Sequence, residues 1–329
     1  VDKDSKTSRL ILIAESNLND PRVIRSKELG GFGLSAQWND DFHHSLRALL
    51  TGERTGYYSD FGRTFDLAKA MSEGFVRSGD YSIHRKSSIG DSSADRPAHQ
   101  FVVFGQNHDQ VGNRMLGERL SQLVSFEALK LAAGAVLLAP NVPMLFMGED
   151  YGEQSPFLYF VNHGDTDLIA AVREGRKREF AEFAWQGEPP DPQSPGTFLK
   201  SKLRWELRDE GRNKTLLDFY RLLILLRRDV AAIAGFNKED SAIMLDESKR
   251  LIFQHRRSRK NEIFCVMNFS QKPETYRDEW SHGSWKKILD SADVIWDGPG
   301  VTLPAEIKEG QEVTIQPTSI ALYLKENPR

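Results

Sequence analysis

The chain carries almost no thiol chemistry. Cys265 is the single cysteine in 329 residues, so an internal disulfide is excluded. Its apolar setting, Ile263-Phe264-Cys265-Val266-Met267, reads as an inert core thiol. A reducing cytosol fits, so a cytoplasmic location is expected, although a cysteine-poor secreted protein would look similar. No apolar run reaches the roughly 18 residues of a membrane span. Neither sign of charge dominates, with 44 basic and 47 acidic residues and a net charge of -3. That balance gives no electrostatic reason to expect nucleic acid as a partner. The start, Val1-Asp2-Lys3-Asp4-Ser5-Lys6, lacks both a methionine and a signal-peptide core. What is present is 39% hydrophobic and 28% charged residues. That is the composition of a soluble globular chain with a real core, long enough for two domains.

Apolar strands, polar motifs and helices then alternate. Leu10-Ile11-Leu12-Ile13-Ala14 precedes Glu15-Ser16-Asn17-Leu18-Asn19-Asp20-Pro21. Gly33-Leu34-Ser35-Ala36-Gln37-Trp38 precedes Asn39-Asp40-Asp41 and a helix over residues 43–50. Phe101-Val102-Val103-Phe104 precedes Gly105-Gln106-Asn107-His108-Asp109 and a long helical region over residues 121–138. Pro143-Met144-Leu145-Phe146-Met147 precedes Gly148-Glu149-Asp150, and a strong helix follows over residues 216–228. Such alternation implies βα units on a parallel sheet. The motifs sit at strand C-terminal ends, the active rim of a (β/α)8 barrel. The first run is continuously apolar, as in a strand covered on both faces, so the sequence reads as beginning inside a fold.

From about residue 240 the pattern changes to short β-prone runs at residues 242–245, 251–255, 263–269, 285–289, 312–315 and 319–324. That predicts a small antiparallel sandwich. Residues 187–196, with four prolines, and residues 77–97, rich in Ser, Arg and Asp, read as long loops.

Glu15 ends an apolar strand at the barrel mouth. Partial desolvation there favours a protonated carboxyl, the requirement for a general acid near neutral pH. A surface glutamate capping the next loop is the plainer reading. His108 and Asp109 suit sugar hydroxyls, and a turn with an Asx-type hydrogen bond would use the same residues. Trp38 is a candidate for stacking on a glucose face or for core packing. Asp40, Asp41, His43 and His44 are candidates for a sugar-binding cluster, or for a helix start capped by Asp40 or Asp41. Their spacing matches no zinc motif, so no metal is expected. Glu149 is a rim carboxylate, either contacting substrate or pairing structurally. The charged run over residues 173–178 reads as a solvated helix face.

Ile13-Ala14-Glu15 resembles the general-acid motif on barrel strand five of the α-amylase family, and Phe104-Gly105-Gln106-Asn107-His108-Asp109 resembles its strand-seven motif. Longer blocks are similar to maltooligosyltrehalose trehalohydrolases: residues 15–22, 36–44, 50–58, 104–114, 145–152, 174–180 and 191–193. The resemblance implies an α/β fold. Residues 1–238 would form the second half of a (β/α)8 TIM barrel, strands five to eight, and residues 239–329 an antiparallel β-sandwich domain. It implies Glu15 as acid/base, Asp109 as transition-state carboxylate and His108 as a sugar contact. The implied reaction is retaining cleavage, without a cofactor, of the α-1,4 bond next to the terminal trehalose of maltooligosyl trehalose.

The family's nucleophile Asp lies on strand four, before Glu15. Here Asp2 and Asp4 sit in a polar stretch with no preceding strand and do not fit. The chain alone is therefore expected to be inactive and poorly stable. The expected partner of its open edges is a missing N-terminal barrel half or a second copy. A branching or debranching enzyme and a non-catalytic glucan-binding module are the competing readings.

Overall fold

The computed structural model describes residues 10–182, 189–277 and 283–327. Asp2 and Asp4 lie outside the described residues, as do Gly187 and Glu188 of the proline-rich loop. Four short strands, β1 (Ile13–Ala14), β2 (Ala36–Trp38), β3 (Phe101–Val103) and β4 (Val142–Pro143), form one sheet in sequence order. All three pairings are parallel, as the strand and helix alternation requires.

The apolar run before Glu15 is not covered on both faces. Leu10, Ile11, Leu12 and Ile13 are all about half exposed or more. The physical reason is that β1 pairs with β2 alone among the described strands. The sheet face carrying Ile13, Ala36, Val102 and Val142 borders a cleft of about 770 Å³.

Helices cover the opposite face: α1 (Asp40–Thr51), α2 (Thr64–Ser72), α4 (Phe126–Leu137) and α6 (Gly211–Asp229). Two others, α3 (His108–Gly112) and α5 (Thr166–Glu182), lie near the strand ends. The cap of α1 is Asn39, not Asp40 or Asp41: its Oδ1 accepts from Phe42 N at 3.3 Å. Its Nδ2 donates to Gly74 O at 2.8 Å, which ties the end of α2 to the end of β2. The long helical region breaks at Ser125, whose side chain caps α4, leaving a single turn at Leu120–Leu123 before it.

Gly74 sits at φ 108°, and a Cβ there would meet the Phe101 ring at 2.4 Å. Gly74→Ala must therefore strain the backbone and displace a fully buried ring. We expect a loss of roughly 2–4 kcal/mol, measurable as a lower urea midpoint with an unchanged slope. An unaltered midpoint would show that the loop relaxes freely.

The C-terminal strands are β5 (Ser241–Asp246), β6 (Leu251–Arg257), β7 (Asn261–Asn268), β8 (Glu274–Arg277), β9 (Ser284–Asp290), β10 (Glu306–Lys308), β11 (Glu312–Ile315) and β12 (Ser319–Glu326). They build a six-stranded antiparallel sheet in the order β10-β9-β12-β7-β6-β5, and a two-stranded sheet, β8 with β11. One face of the larger sheet packs Phe253, Phe264, Trp285 and Tyr323 against Tyr276, Val313 and Ile315 of the smaller one. Alternation sends Ile252, Cys265, Met267, Ile320 and Leu322 to the other face. There they share a core with Leu131 and Ala135 of α4 and Phe219 of α6. The approach is close: a Cβ on Gly134 of α4 would stand 2.6 Å from Ile320 Cδ1.

The half-buried Arg227 and the buried Arg256 bind carbonyls where α4 ends. Arg227 donates to Leu137 O, Ala139 O and Asn141 O. Arg256 donates to Leu138 O and Gly235 O. Helix-end carbonyls carry partial negative charge, which suits a cation. Burial lowers Arg227 to about 10 and Arg256 to about 9, so both stay charged at neutral pH. No described helix is long and apolar enough to cross a membrane.

Candidate active site

The polar motifs converge at the C-terminal ends of the parallel strands. Glu15 leaves β1, Trp38 ends β2, and α3 opens at His108 five residues beyond the end of β3. Asn107 caps α3, its Oδ1 accepting from Asp109 N at 2.9 Å and Gln110 N at 3.1 Å. This Asx geometry and the sugar-binding reading of the motif coexist, because the capping residue is Asn107 and the next two side chains are free to face the rim. His108 Nε2 lies 3.6 Å from Glu15 Oε1. Trp38 is half-buried and meets both Phe104, at 5.7 Å between centroids, and His108, at 5.9 Å, edge-on. It wedges the imidazole toward Glu15.

Asp40 occupies the first turn of α1, where Gln110 Nε2 donates to it at 3.2 Å. Its carboxyl is pushed up to about 7, first by burial and then by the negative fields of Asp109, Asp41 and Glu15. These carboxyl groups form one electrostatic cluster, in which burial and neighbouring like charge favour a proton on Asp40. Asp109 is exposed, and its Oδ1 accepts from Asn113 Nδ2 at 2.6 Å. Glu15 is 55% exposed on its side chain, so the described residues do not supply the burial expected of a general acid.

His43 and Glu149 do not reach the rim. His43 is fully buried. Its Nδ1 bonds Gly105 O at 2.9 Å and its Nε2 bonds Tyr58 OH at 3.0 Å, so both ring nitrogens are used. Burial drives it well below the usual histidine range, leaving a neutral tie beneath the β3 loop. Glu149 is buried, accepting from Phe146 N at 3.0 Å and Tyr220 OH at 3.3 Å. Burial pushes it up to about 8. It is a structural acid that holds the loop after β4 onto α6.

Glu149 also sets a pH dependence. Its ordinary value is 4.5, so between there and about 8 the folded chain keeps a proton that the unfolded chain releases. Stability from this group falls as pH rises through that window and then levels off. Glu149→Gln mimics the protonated form. It should raise Tm by roughly 1.5–3 °C at pH 9, equivalent to about 1–2 kcal/mol, and change little at pH 5. An equal shift at both pH values would contradict the buried acid.

Other parts of the site carry weak sequence signals. Asp41 is buried and its Oδ2 accepts from Asn19 Nδ2 at 2.8 Å, Val76 N at 2.7 Å and Arg77 N at 2.8 Å. It thereby pins the loops after β1 and α2. His44 stacks on Tyr57 at 4.7 Å and is lowered to about 3 by burial. With Asp40, Asp60, Arg77, His84 and Asp109 it borders a polar cavity of about 100 Å³ beside the cluster. Asn113 is discoverable in principle, since it stands one turn after Asp109 on the same helix face.

No family model matches the chain. It is 50% identical over 219 residues to the malto-oligosyltrehalose trehalohydrolase of Saccharolobus solfataricus, covering 67% of this chain and 37% of that protein. The namesake from Rhizobium sp. is 43% identical over 268 residues, 80% of this chain and 44% of that one. The Mycobacterium tuberculosis namesake is 40% identical over 268 residues, 80% and 45%. A solved structure assigned as an alpha amylase, from Salmonella typhimurium, superposes with a TM-score of 0.78 at 31% identity, over 95% of this chain and 51% of that one. An H. orenii alpha-amylase, TM-score 0.56 at 15% identity over 97% and 54%, shares the fold. The chain spans less than half the length of these curated relatives. Within that span, sequence and structure together place it in the malto-oligosyltrehalose trehalohydrolase family, among the α-amylase-type glycosidases.

Proposed function

We propose that this chain supplies the acid/base half of a retaining α-glucan hydrolase, which cleaves the α-1,4 bond next to the terminal trehalose of maltooligosyl trehalose. The observation that carries the reading is the convergence of Glu15, His108, Asp109 and Asp40 at the ends of adjacent parallel strands. Glu15 protonates the leaving oxygen and later activates water. Asp109 faces the developing oxocarbenium charge, and His108 and Asp40 hold hydroxyl groups. Asp40, titrating near neutrality, can donate as well as accept a hydrogen bond.

A retaining mechanism needs a nucleophilic carboxylate about 5–5.5 Å from the acid. We place that group, with the remaining barrel strands, in the longer protein implied by the relatives' length. The four parallel strands are then strands five to eight of a (β/α)8 barrel, and the antiparallel sheets its sandwich domain. The test is the anomer formed when the full-length protein hydrolyses maltotriosyl trehalose, followed by proton NMR. The reading expects trehalose plus an initial α-anomeric reducing end. A β-anomer, or release of glucose instead of trehalose, would overturn it.

A further inference from the structure

We infer that Arg176 and Asn113 form a positioning pair for Asp109. The inference rests on the reading of Asp109 as the transition-state carboxylate. Arg176 comes from the charged run on α5, otherwise a solvated face. Its Nη1 donates to Asn113 Oδ1 at 2.9 Å and its Nη2 to Gly112 O at 2.8 Å. The guanidinium also lies over the Tyr159 ring, 4.6 Å from the centroid. These bonds reach across 63 and 64 positions of sequence to the end of α3.

The consequence is chemical. A guanidinium only donates. With Asn113 Oδ1 engaged by Arg176, the amide is fixed in one orientation, and its Nδ2 is the group left to face Asp109 Oδ1 at 2.6 Å. A flipped amide would set two donors against each other. Asp109 is exposed and would otherwise sample several rotamers. A carboxylate that stabilises charge in a transition state must be in place before that charge develops. Arg176 thus fixes Asn113, Asn113 fixes Asp109, and Gly112 O anchors the pair to the helix end.

The experiment is kinetics of trehalose release by the full-length protein carrying D109N, R176M, N113A, or R176M and N113A together. A second readout is the affinity for a glucose-configured iminosugar cation, which reports where the carboxylate charge stands. We expect R176M and N113A each to lower kcat roughly tenfold with KM within about twofold. The double variant should be no worse than either single one, because both break the same chain. Iminosugar affinity should fall in step with kcat. Effects of the two substitutions that multiply, a loss confined to KM, or unchanged kcat would sink the pair while an inactive D109N leaves the site reading intact. An active D109N would sink the site reading and the pair with it. If R176M is not recovered folded, N113A decides by the same kcat and iminosugar criteria, since it only truncates a side chain at the end of α3.

Discussion

Glu15→Gln in the full-length protein is expected to lower kcat for trehalose release by about 10²–10⁴-fold. KM should stay within a small factor, because the amide keeps the shape and loses the proton. Glu15 lies 3.6 Å from His108 Nε2 and is more than half exposed in this chain, so the substitution disturbs no packed neighbour and stability should hold. The defect in kcat/KM, which reports formation of the glycosyl-enzyme alone, should be smaller on a substrate whose leaving group needs no protonation, such as an aryl glycoside with an acidic phenol. A uniform loss on both substrates would point to binding and away from acid catalysis. Activity close to wild type would remove Glu15 from the mechanism.

The 329-residue chain by itself is expected to release no measurable trehalose. Asp109 is held by Asn113 and Asp40 by Gln110, and burial with neighbouring charge pushes Asp40 up to about 7, so that it is only partly ionised at neutral pH. Each carboxyl is thus already engaged by a neighbouring amide. Glu15 is also 55% exposed on its side chain in this chain, which does not create the dry environment that strengthens charge stabilisation. The assay is overnight incubation with maltotriosyl trehalose and chromatographic detection of trehalose. Turnover that disappears in Glu15→Gln would make Asp109 or Asp40 the nucleophile and refute the proposed division of the active site.

The parts of this molecule legible in the sequence were those with local causes. The polar motifs follow apolar strands because a strand end is where side chains can leave the sheet for solvent, so Glu15 and His108-Asp109 could be placed on one rim. Short β-prone runs such as residues 263–269 announced the C-terminal sheets. Short strands did not show: β8 and β10 have four and three residues, too few for alternation to stand out from a turn. For His43 and Glu149 the sequence left a sugar contact and a structural role both open, because burial is a property of the whole fold. Each follows a strand as a rim residue would, yet Tyr58 and Tyr220 close over them. The cap of α1 was expected at Asp40 or Asp41, and the backbone places it one residue earlier, at Asn39. Arg176 had no local signal, since its partners are 63 and 64 positions away.

The contact between Gly134 and Ile320 bears on how such proteins can be recombined. A helix without a side chain at its point of contact, seated directly on a strand, makes α4 and β12 a matched surface pair. Arg227 and Arg256 then grip the end of that helix from both segments. Exchange of the C-terminal strands between homologues would carry the wrong relief against the helix unless residues 126–141 travelled with them. The unit of inheritance in this half of the molecule is therefore the interface, and a functional chimaera has its junctions on either side of that pair.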